Sequence, residues 1–251
     1  HFFEREAYGK EITIEQLLSH RSGLADIFNE KGTRFYLGVF LNKNKQYSPK
    51  AIVKKYHQYR LNRKTHVKPG DGFFYSDMNY VLLGLLIQKI EKIPLAEVIR
   101  TRILNPLKME KTYFEFYEKA KEGPQMIHQY VGRIDMNRIN TSFDWAGGGL
   151  VSTTDDLATF FKALFDGKLV SPKSLKKMSR MQPTQSKNFR YGLGLYETRY
   201  GNDVFYGHYG FYGSFLGYCP EKDVVVVYNI SQSKPEFDFR EMLERILEIS
   251  S

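Results

Sequence analysis

Cysteine occurs once in 251 residues, at Cys219, so the chain has no intramolecular disulfide framework and no cysteine-rich zinc site. That count leaves the redox compartment open. Long apolar runs are lacking as well: the longest, Val81 to Ile87, falls far short of the about 20 residues that cross a bilayer as a helix. The first residue is His1 rather than Met, and nothing near it has the charged, apolar and small-residue regions of a signal peptide, so the chain reads as processed or partial. His1, His57, His66 and His128 have no metal-ligand spacing among themselves or with Cys219. No metal site and no cofactor are expected.

Acidic residues are absent from Lys31 to Lys68, where Lys43, Lys45, Lys50, Lys54, Lys55, Arg60, Arg63, Lys64 and Lys68 accumulate within a net charge of +9. Tyr47, Tyr56 and Tyr59 are interleaved with them. Basic residues with aromatics can hold nucleic acid, but a solvated helical face is the commoner meaning. Nucleic acid is therefore not expected as a partner, and an anionic surface met through the Lys43 to Lys68 region is the milder expectation.

What is present is a chain with 42% hydrophobic and 26% charged residues, long enough for a substantial core in one large domain or two smaller ones. "TIEQLLSH" at 13–20 predicts a short helix ended by Gly23 in the left-handed cap position. "PKAIVKKYHQYR" at 49–60 predicts a basic amphipathic helix with proline in its first turn. "KPGDG" at 68–72 is a turn, and the segment after Asp77 is apolar almost all round, which predicts a buried helix. "PLAEVIRTRILNPLKM" continues as helix to Pro106, Thr153 and Asp156 have capping-box spacing ahead of another, and a further helix starts from Ser171. "RYGLGLYETRY", "DVFYGHYG", "SFLGYCP" and "DVVVVYNIS" read as hairpin-linked strands, and "FDFREMLERILEI" as a closing helix. This order predicts an α+β fold: an antiparallel sheet flanked by helices plus an α-helical region, the helices over about 14–180 and the sheet with its closing helix over about 188–251.

Within "FFYSDMNYVLLGLL", residues 73–86, three polar side chains, Tyr75, Ser76 and Asp77, stand at the lip of an apolar helix. Ser76 or Asp77 accepting backbone N–H bonds as a helix cap is one reading, and chemistry is the other. Three pieces bear on the choice: "LLSHRSGL" at 17–24, "PGDGFFYSDMNYVLLG" at 69–84 and "YGHYGFYGS" at 206–214, with "AGGGLVSTTDDLATF" between the last two.

In this order and spacing the pieces resemble the serine hydrolase superfamily of class C β-lactamases, penicillin-binding proteins and related esterases and D-amino peptidases, over nearly the whole chain from about Ile12. The resemblance implies a β-lactamase/transpeptidase-like fold in one partial domain spanning 1–251, with the site at the junction of sheet and helical region. It implies acyl-enzyme hydrolysis of ester, amide or D-residue peptide bonds, with cell-wall peptides among the substrates, outside the cytoplasm in the periplasm or beyond. Tyr75 matches the tyrosine that exchanges protons with nucleophile and leaving group. A phenol of pKa about 10 needs neighbouring cations to ionise near neutrality, and these are expected to be the family lysine and a positive group on the adjoining strand. Asp77 stands where the family has asparagine and would meet that lysine and the substrate; a carboxylate cannot donate as an amide does, which counts against an amide-bearing β-lactam. His208-Tyr209-Gly210 matches the Lys-Thr-Gly or His-x-Gly motif. His208 would orient Tyr75 or a substrate carboxylate, Gly210 would admit substrate close to the backbone, and the N–H of Phe211 would be an oxyanion-hole donor.

The family's Ser-x-x-Lys does not precede these motifs in the sequence. Ser174 with Lys177 and Ser231 with Lys234 match it formally but follow the tyrosine motif, and read as chance. The chain is then either the C-terminal part of a complete enzyme, partnered by an N-terminal segment of the same protein, or a non-catalytic binding module that keeps the fold. Ser22 and His20 read as structural at a helix end, His20 bonding backbone carbonyls there. Gly147, Gly148 and Gly149 read equally as a close approach for substrate to the backbone or as a tight turn before the Thr153 cap, and no catalytic role is assigned to them.

Overall fold

The computed structural model describes residues 2–119, 126–186, 189–233, 241, 244 and 245. The helices are α1 (Ile14–Leu18), α2 (Ile27–Glu30), α3 (Gly32–Leu41), α4 (Pro49–Gln58), α5 (Asp77–Glu91), α6 (Leu95–Ile99), α7 (Trp145–Gly148), α8 (Thr154–Phe165) and α9 (Pro172–Met178). The strands are β1 (Tyr113–Phe114), β2 (Tyr130–Val131), β3 (Ile134–Asp135), β4 (Leu150–Val151), β5 (Gln182–Pro183), β6 (Arg190–Tyr191), β7 (Tyr196–Tyr200), β8 (Asp203–Tyr209), β9 (Ser214–Cys219) and β10 (Val224–Asn229). The expected closing helix lies largely outside the described residues.

The chain forms two compact units, the first from His1–Pro124 and Asn137–Ser152, the second from Gln125–Met136 and Thr153–Ser251. In the first unit α5 is the central element, packed by α1, α2, α6 and α7. Its buried face carries Met78, Val81, Leu82 and Leu83. Gly84 is there because α7 comes so close: a Cβ would stand 2.7 Å from the Ala146 side chain and 2.9 Å from the Trp145 ring. Helix starts follow the sequence signals. Thr13 makes a full capping box with Gln16, Ser48 caps α4 ahead of Pro49, and α6 runs on through a π-helical turn, Arg100–Leu104.

Two details of the first unit depart from expectation. The left-handed residue that closes α1 is His20, at φ 53°, rather than Gly23, which takes φ 74° further on where a Cβ would meet the Val67 carbonyl oxygen at 1.9 Å. Ser76, the residue before α5, does not cap it: its hydroxyl donates to the Ala25 carbonyl at 3.0 Å. The N–H of Asp77 is accepted instead by the side chain of Asp26, which also caps α2 through the Phe28 N–H at 3.0 Å. One carboxylate from a distant segment thus satisfies two helix starts.

In the second unit a six-stranded antiparallel sheet runs in the order β10-β9-β8-β7-β6-β5, each strand paired with its sequence neighbour. The period-2 alternation of strands sends side chains to two faces. Tyr200, Phe205, Phe215 and Cys219 form one buried cluster with Val224, Val226 and Tyr228, while Phe161, Met181, Leu195 and Tyr218 with Leu216 and Val225 form the other. α8 supplies Phe161 to the second cluster and packs on β9 and β10. Phe205 and Phe215 are wholly buried, each stabilising the fold by about 1.5–3 kcal/mol relative to exposure.

Candidate active site

Residues 73–79 are pinned to residues 20–26 within the first unit. The Phe74 N–H donates to the His20 carbonyl at 2.8 Å, and the Ser76 N–H donates to His20 Nδ1 at 3.1 Å. His20 therefore bonds an amide of the Tyr75–Asp77 segment through its ring, which corrects the expectation that the ring meets carbonyls at the helix end. Its imidazole lies face to face with the Tyr75 phenol, the ring centroids 4.0 Å apart and the planes 25° from parallel. The Asn79 amide also donates to Nδ1 at 3.1 Å, and the Ser22 hydroxyl donates to Asn79 Oδ1 at 2.5 Å. Ser22 is 2% exposed and is a buried brace of this network.

Tyr75 is 37% exposed, and its hydroxyl donates to the Asp77 carboxylate. Burial of the phenol, then the charges of Asp77, Tyr80 and Asp26, hold its pKa far above the ordinary tyrosine value. Asp77 is raised chiefly by burial and next by the Asp26 charge, partly offset by the Tyr75 hydrogen bond; Asp26 is raised by burial against the pull of its Phe28, Asn29 and Asp77 donors. Two like charges removed from water cannot both ionise freely, so the pair retains a proton to higher pH than separate carboxylates do. The Tyr36 phenol is also raised, by burial and then by Asp144, Asp77 and Asp26. The backbone of α7 reaches the same place, since a Cβ on Gly147 would lie 3.6 Å from Asp77 Oδ1.

In the second unit His208, Gly210 and Phe211 sit at the end of β8 and on the turn into β9. His208 Nδ1 is 2.8 Å from the Tyr209 carbonyl, which can only accept, so Nδ1 carries the hydrogen. Nε2 then accepts from the Tyr191 hydroxyl at 3.1 Å. Burial lowers the pKa of this imidazole, partly countered by the carbonyl bond. Its place against Tyr191 and Tyr196 disfavours the imidazolium. The Gly210 N–H donates to the Ser214 carbonyl at 2.7 Å, closing the turn, and a Cβ at Gly210 would approach the Ser214 side chain to 3.2 Å. Phe211 is 62% exposed, and its N–H makes no hydrogen bond among the described residues. Tyr209 is 41% exposed, with its ring 5.0 Å from Tyr196 and 4.7 Å from Phe215 and its hydroxyl 2.6 Å from that of Tyr200.

Asp26, His20, Tyr36 and Asp144 were missed as site residues by sequence reasoning; only the adjacency of "HRSGL" to the tyrosine motif in the ordered set hinted at His20. Ser174 lies in the Ser171 cap of α9, a structural place, while Lys234 lies outside the described residues. Among the described residues no three His, Cys, Asp or Glu side chains gather where they could hold a metal ion, and no helix is long and apolar enough to cross a membrane.

The family model described as Beta-lactamase matches residues 3–251. A relative from Bacillus subtilis strain 168 with "penicillin-binding protein PbpX" in its name is 25% identical over 197 residues, covering 75% of this chain and 43% of its own length. One from Salmonella heidelberg strain SL476 with "D-alanyl-D-alanine carboxypeptidase" in its name is 26% identical over 196 residues, 64% of this chain and 45% of its own. Among solved structures the D-amino acid amidase from Ochrobactrum anthropi SV3 aligns with a TM-score of 0.80 at 26% identity, over 98% of this chain and 76% of that one. The chain spans less than half the length of these two curated relatives.

Proposed function

The chain belongs to the Beta-lactamase family, and on that premise we propose that the complete protein is a serine hydrolase that forms an acyl-enzyme on ester, amide or D-residue peptide bonds. The observation that carries this reading is the Tyr75 hydroxyl held on the Asp77 carboxylate at the start of α5, with Asp26 behind it. A phenol and two carboxylates of raised pKa form a proton reservoir. Tyr75 starts protonated and serves as general acid toward the leaving group; the proton it gives up is replaced from the nucleophile in the acylation step. A lysine ammonium set against Asp26 and Asp77 would favour the charged forms of all three groups and let Tyr75 act as base. That lysine and the attacking serine correspond to the family's Ser-x-x-Lys, which does not precede Tyr75 within residues 1–251.

His208 is proposed to orient the substrate and the Phe211 N–H to donate to the developing oxyanion, a contact whose loss typically costs about 2.7–4 kcal/mol of transition-state stabilisation. Asp77 in place of an amide disfavours β-lactams, so the substrates proposed are small esters, amides or peptides, including cell-wall peptides that carry D-residues, met outside the cytoplasm. Names of relatives that contain D-alanyl-D-alanine carboxypeptidase and D-amino acid amidase support that class. The test is turnover of a D-alanyl ester or amide by the complete protein and its Tyr75→Phe variant. Absence of turnover and of any acyl adduct in the complete protein would favour the non-catalytic binding module instead.

A second activity is favoured by one separate observation. Arg5, Lys50, Lys54 and His57 line a depression of about 550 Å³ with Phe2, Val53 and Gln58. Elsewhere in the basic stretch Lys64 pairs with Glu30, while Lys45 and Lys55 lie over aromatic rings. We propose that the depression meets an anionic surface, with binding that weakens as salt rises.

A further inference from the structure

The pair formed by His20 and Tyr75 supports a step beyond that reading, and rests on its assignment of Tyr75 as the residue that moves the proton. We propose that His20 is the positioning residue of Tyr75: its imidazole is the surface on which the phenol lies, and it fixes where the Tyr75 hydroxyl stands relative to Asp77.

Three observations converge on this. The imidazole is wholly buried and stacked on Tyr75 at 4.0 Å. Its backbone adopts φ 53°, a left-handed conformation that is uncommon for a residue with a Cβ. Its ring is fixed by two donors from the segment that carries Tyr75 and Asp77, the Ser76 N–H and the Asn79 amide, both at 3.1 Å. Because Nδ1 accepts both, the hydrogen of the neutral ring is on Nε2. Asn79 is itself held by the Ser22 hydroxyl, whose oxygen accepts the Leu24 N–H at 3.2 Å. The carbonyl of His20 accepts the Phe74 N–H at 2.8 Å, so the residue is bonded on both sides of Tyr75.

A helix end needs none of this. A glycine closes α1 at lower strain, and a water or hydroxyl satisfies the Ser76 N–H. What an imidazole adds is a flat face whose position is tied to the chain on either side of the phenol. The motif "HRSG" and the motif "YSDMN" are therefore one hydrogen-bonded unit rather than two independent signals, with Ser22 bracing Asn79, Asn79 bracing His20, and His20 bracing Tyr75.

The test is a double-mutant cycle on the complete protein, with kcat and KM measured on p-nitrophenyl acetate for the wild type, His20→Asn, Tyr75→Phe and the double variant. Asparagine retains an acceptor near the place of Nδ1 and removes the ring. His20→Asn should lower kcat about tenfold or more at little-changed KM, and by less than about twofold in the Tyr75→Phe background. Equal factors in both backgrounds, or an unchanged kcat in His20→Asn, would overturn the proposal. Should Tyr75→Phe itself leave kcat unchanged, the functional reading fails separately, and the ring-flip rate of Tyr75 by NMR decides: faster flipping in His20→Asn upholds positioning, and an unchanged rate rejects it. If His20→Asn does not fold, His20→Gln, which also removes the ring and keeps an acceptor, takes its place in the same cycle with the same two outcomes.

Discussion

Asp26 accepts the backbone N–H of Asp77 while its charge raises the pKa of the Asp77 side chain. The same contact that starts α5 therefore places two carboxylates against each other in a buried site. Capping of α5 falls to Asp26, while Asp77 accepts the Tyr75 hydroxyl and Ser76 bonds the Ala25 carbonyl.

The first prediction concerns stability and pH. Asp77 has a folded pKa above its unfolded value, so its ionisation opposes folding once the pH exceeds the ordinary carboxylate range near 4. The penalty is absent in acid, grows as pH rises toward the folded pKa, and is complete above it. Asp77→Asn, which keeps an acceptor for Tyr75, should therefore gain little thermal stability at pH 4 and progressively more by pH 8. Melting curves across that range check it, and an advantage that shrinks with rising pH would contradict it.

His208 gives a prediction of opposite sign. Its folded pKa is below the unfolded value, so its contribution is fully present above the ordinary histidine range near 6.5 and is lost as pH falls through that range toward the folded pKa. Protonation of Nε2 also ends its acceptance of the Tyr191 hydroxyl. Nitrogen NMR should find the hydrogen on Nδ1 at pH 7 and a titration midpoint below that of a free histidine. A ring charged at pH 7 would refute this assignment.

Much of the architecture was legible in the sequence because it depends on local signals. Ser48 before Pro49, Thr13 with Gln16, Thr153 and Ser171 each mark a helix start through side-chain chemistry within three residues, and each accepts the N–H three residues on. The alternating valines of β10 likewise divide between two packed clusters. Asp26 was not legible, since its second helix start lies about fifty residues away and no periodicity connects them. The lowered pKa of His208 was hidden for the same reason: it comes from burial that only the folded sheet provides. Ser76 has the composition of a cap, but the Ala25 carbonyl holds its hydroxyl.

Packing yields a third prediction. Leucine at position 84 would be forced into Trp145 and Ala146, where even a Cβ has only 2.7–2.9 Å. Gly84→Leu should destabilise the protein by about 1–3 kcal/mol, as overpacking usually does, read as a lower denaturant midpoint. A midpoint equal to the wild type would mean that α7 stands further from α5.

For the basic depression, Lys50→Gln with Lys54→Gln should weaken binding to anionic lipid vesicles at low salt while leaving turnover unchanged, because neither lysine touches the Tyr75 network. Retention on vesicles that is equal for both proteins at every salt concentration would remove this surface from consideration.

The most direct measurement is the rate at which a fluorophosphonate probe adds to the complete protein, followed by intact mass, for the wild type and Tyr75→Phe. One adduct on a serine, formed about a hundredfold or more slowly in Tyr75→Phe at unchanged thermal stability, is the predicted result. Equal rates in the two proteins would take Tyr75 out of the mechanism, and no adduct in either would contradict the serine hydrolase reading itself.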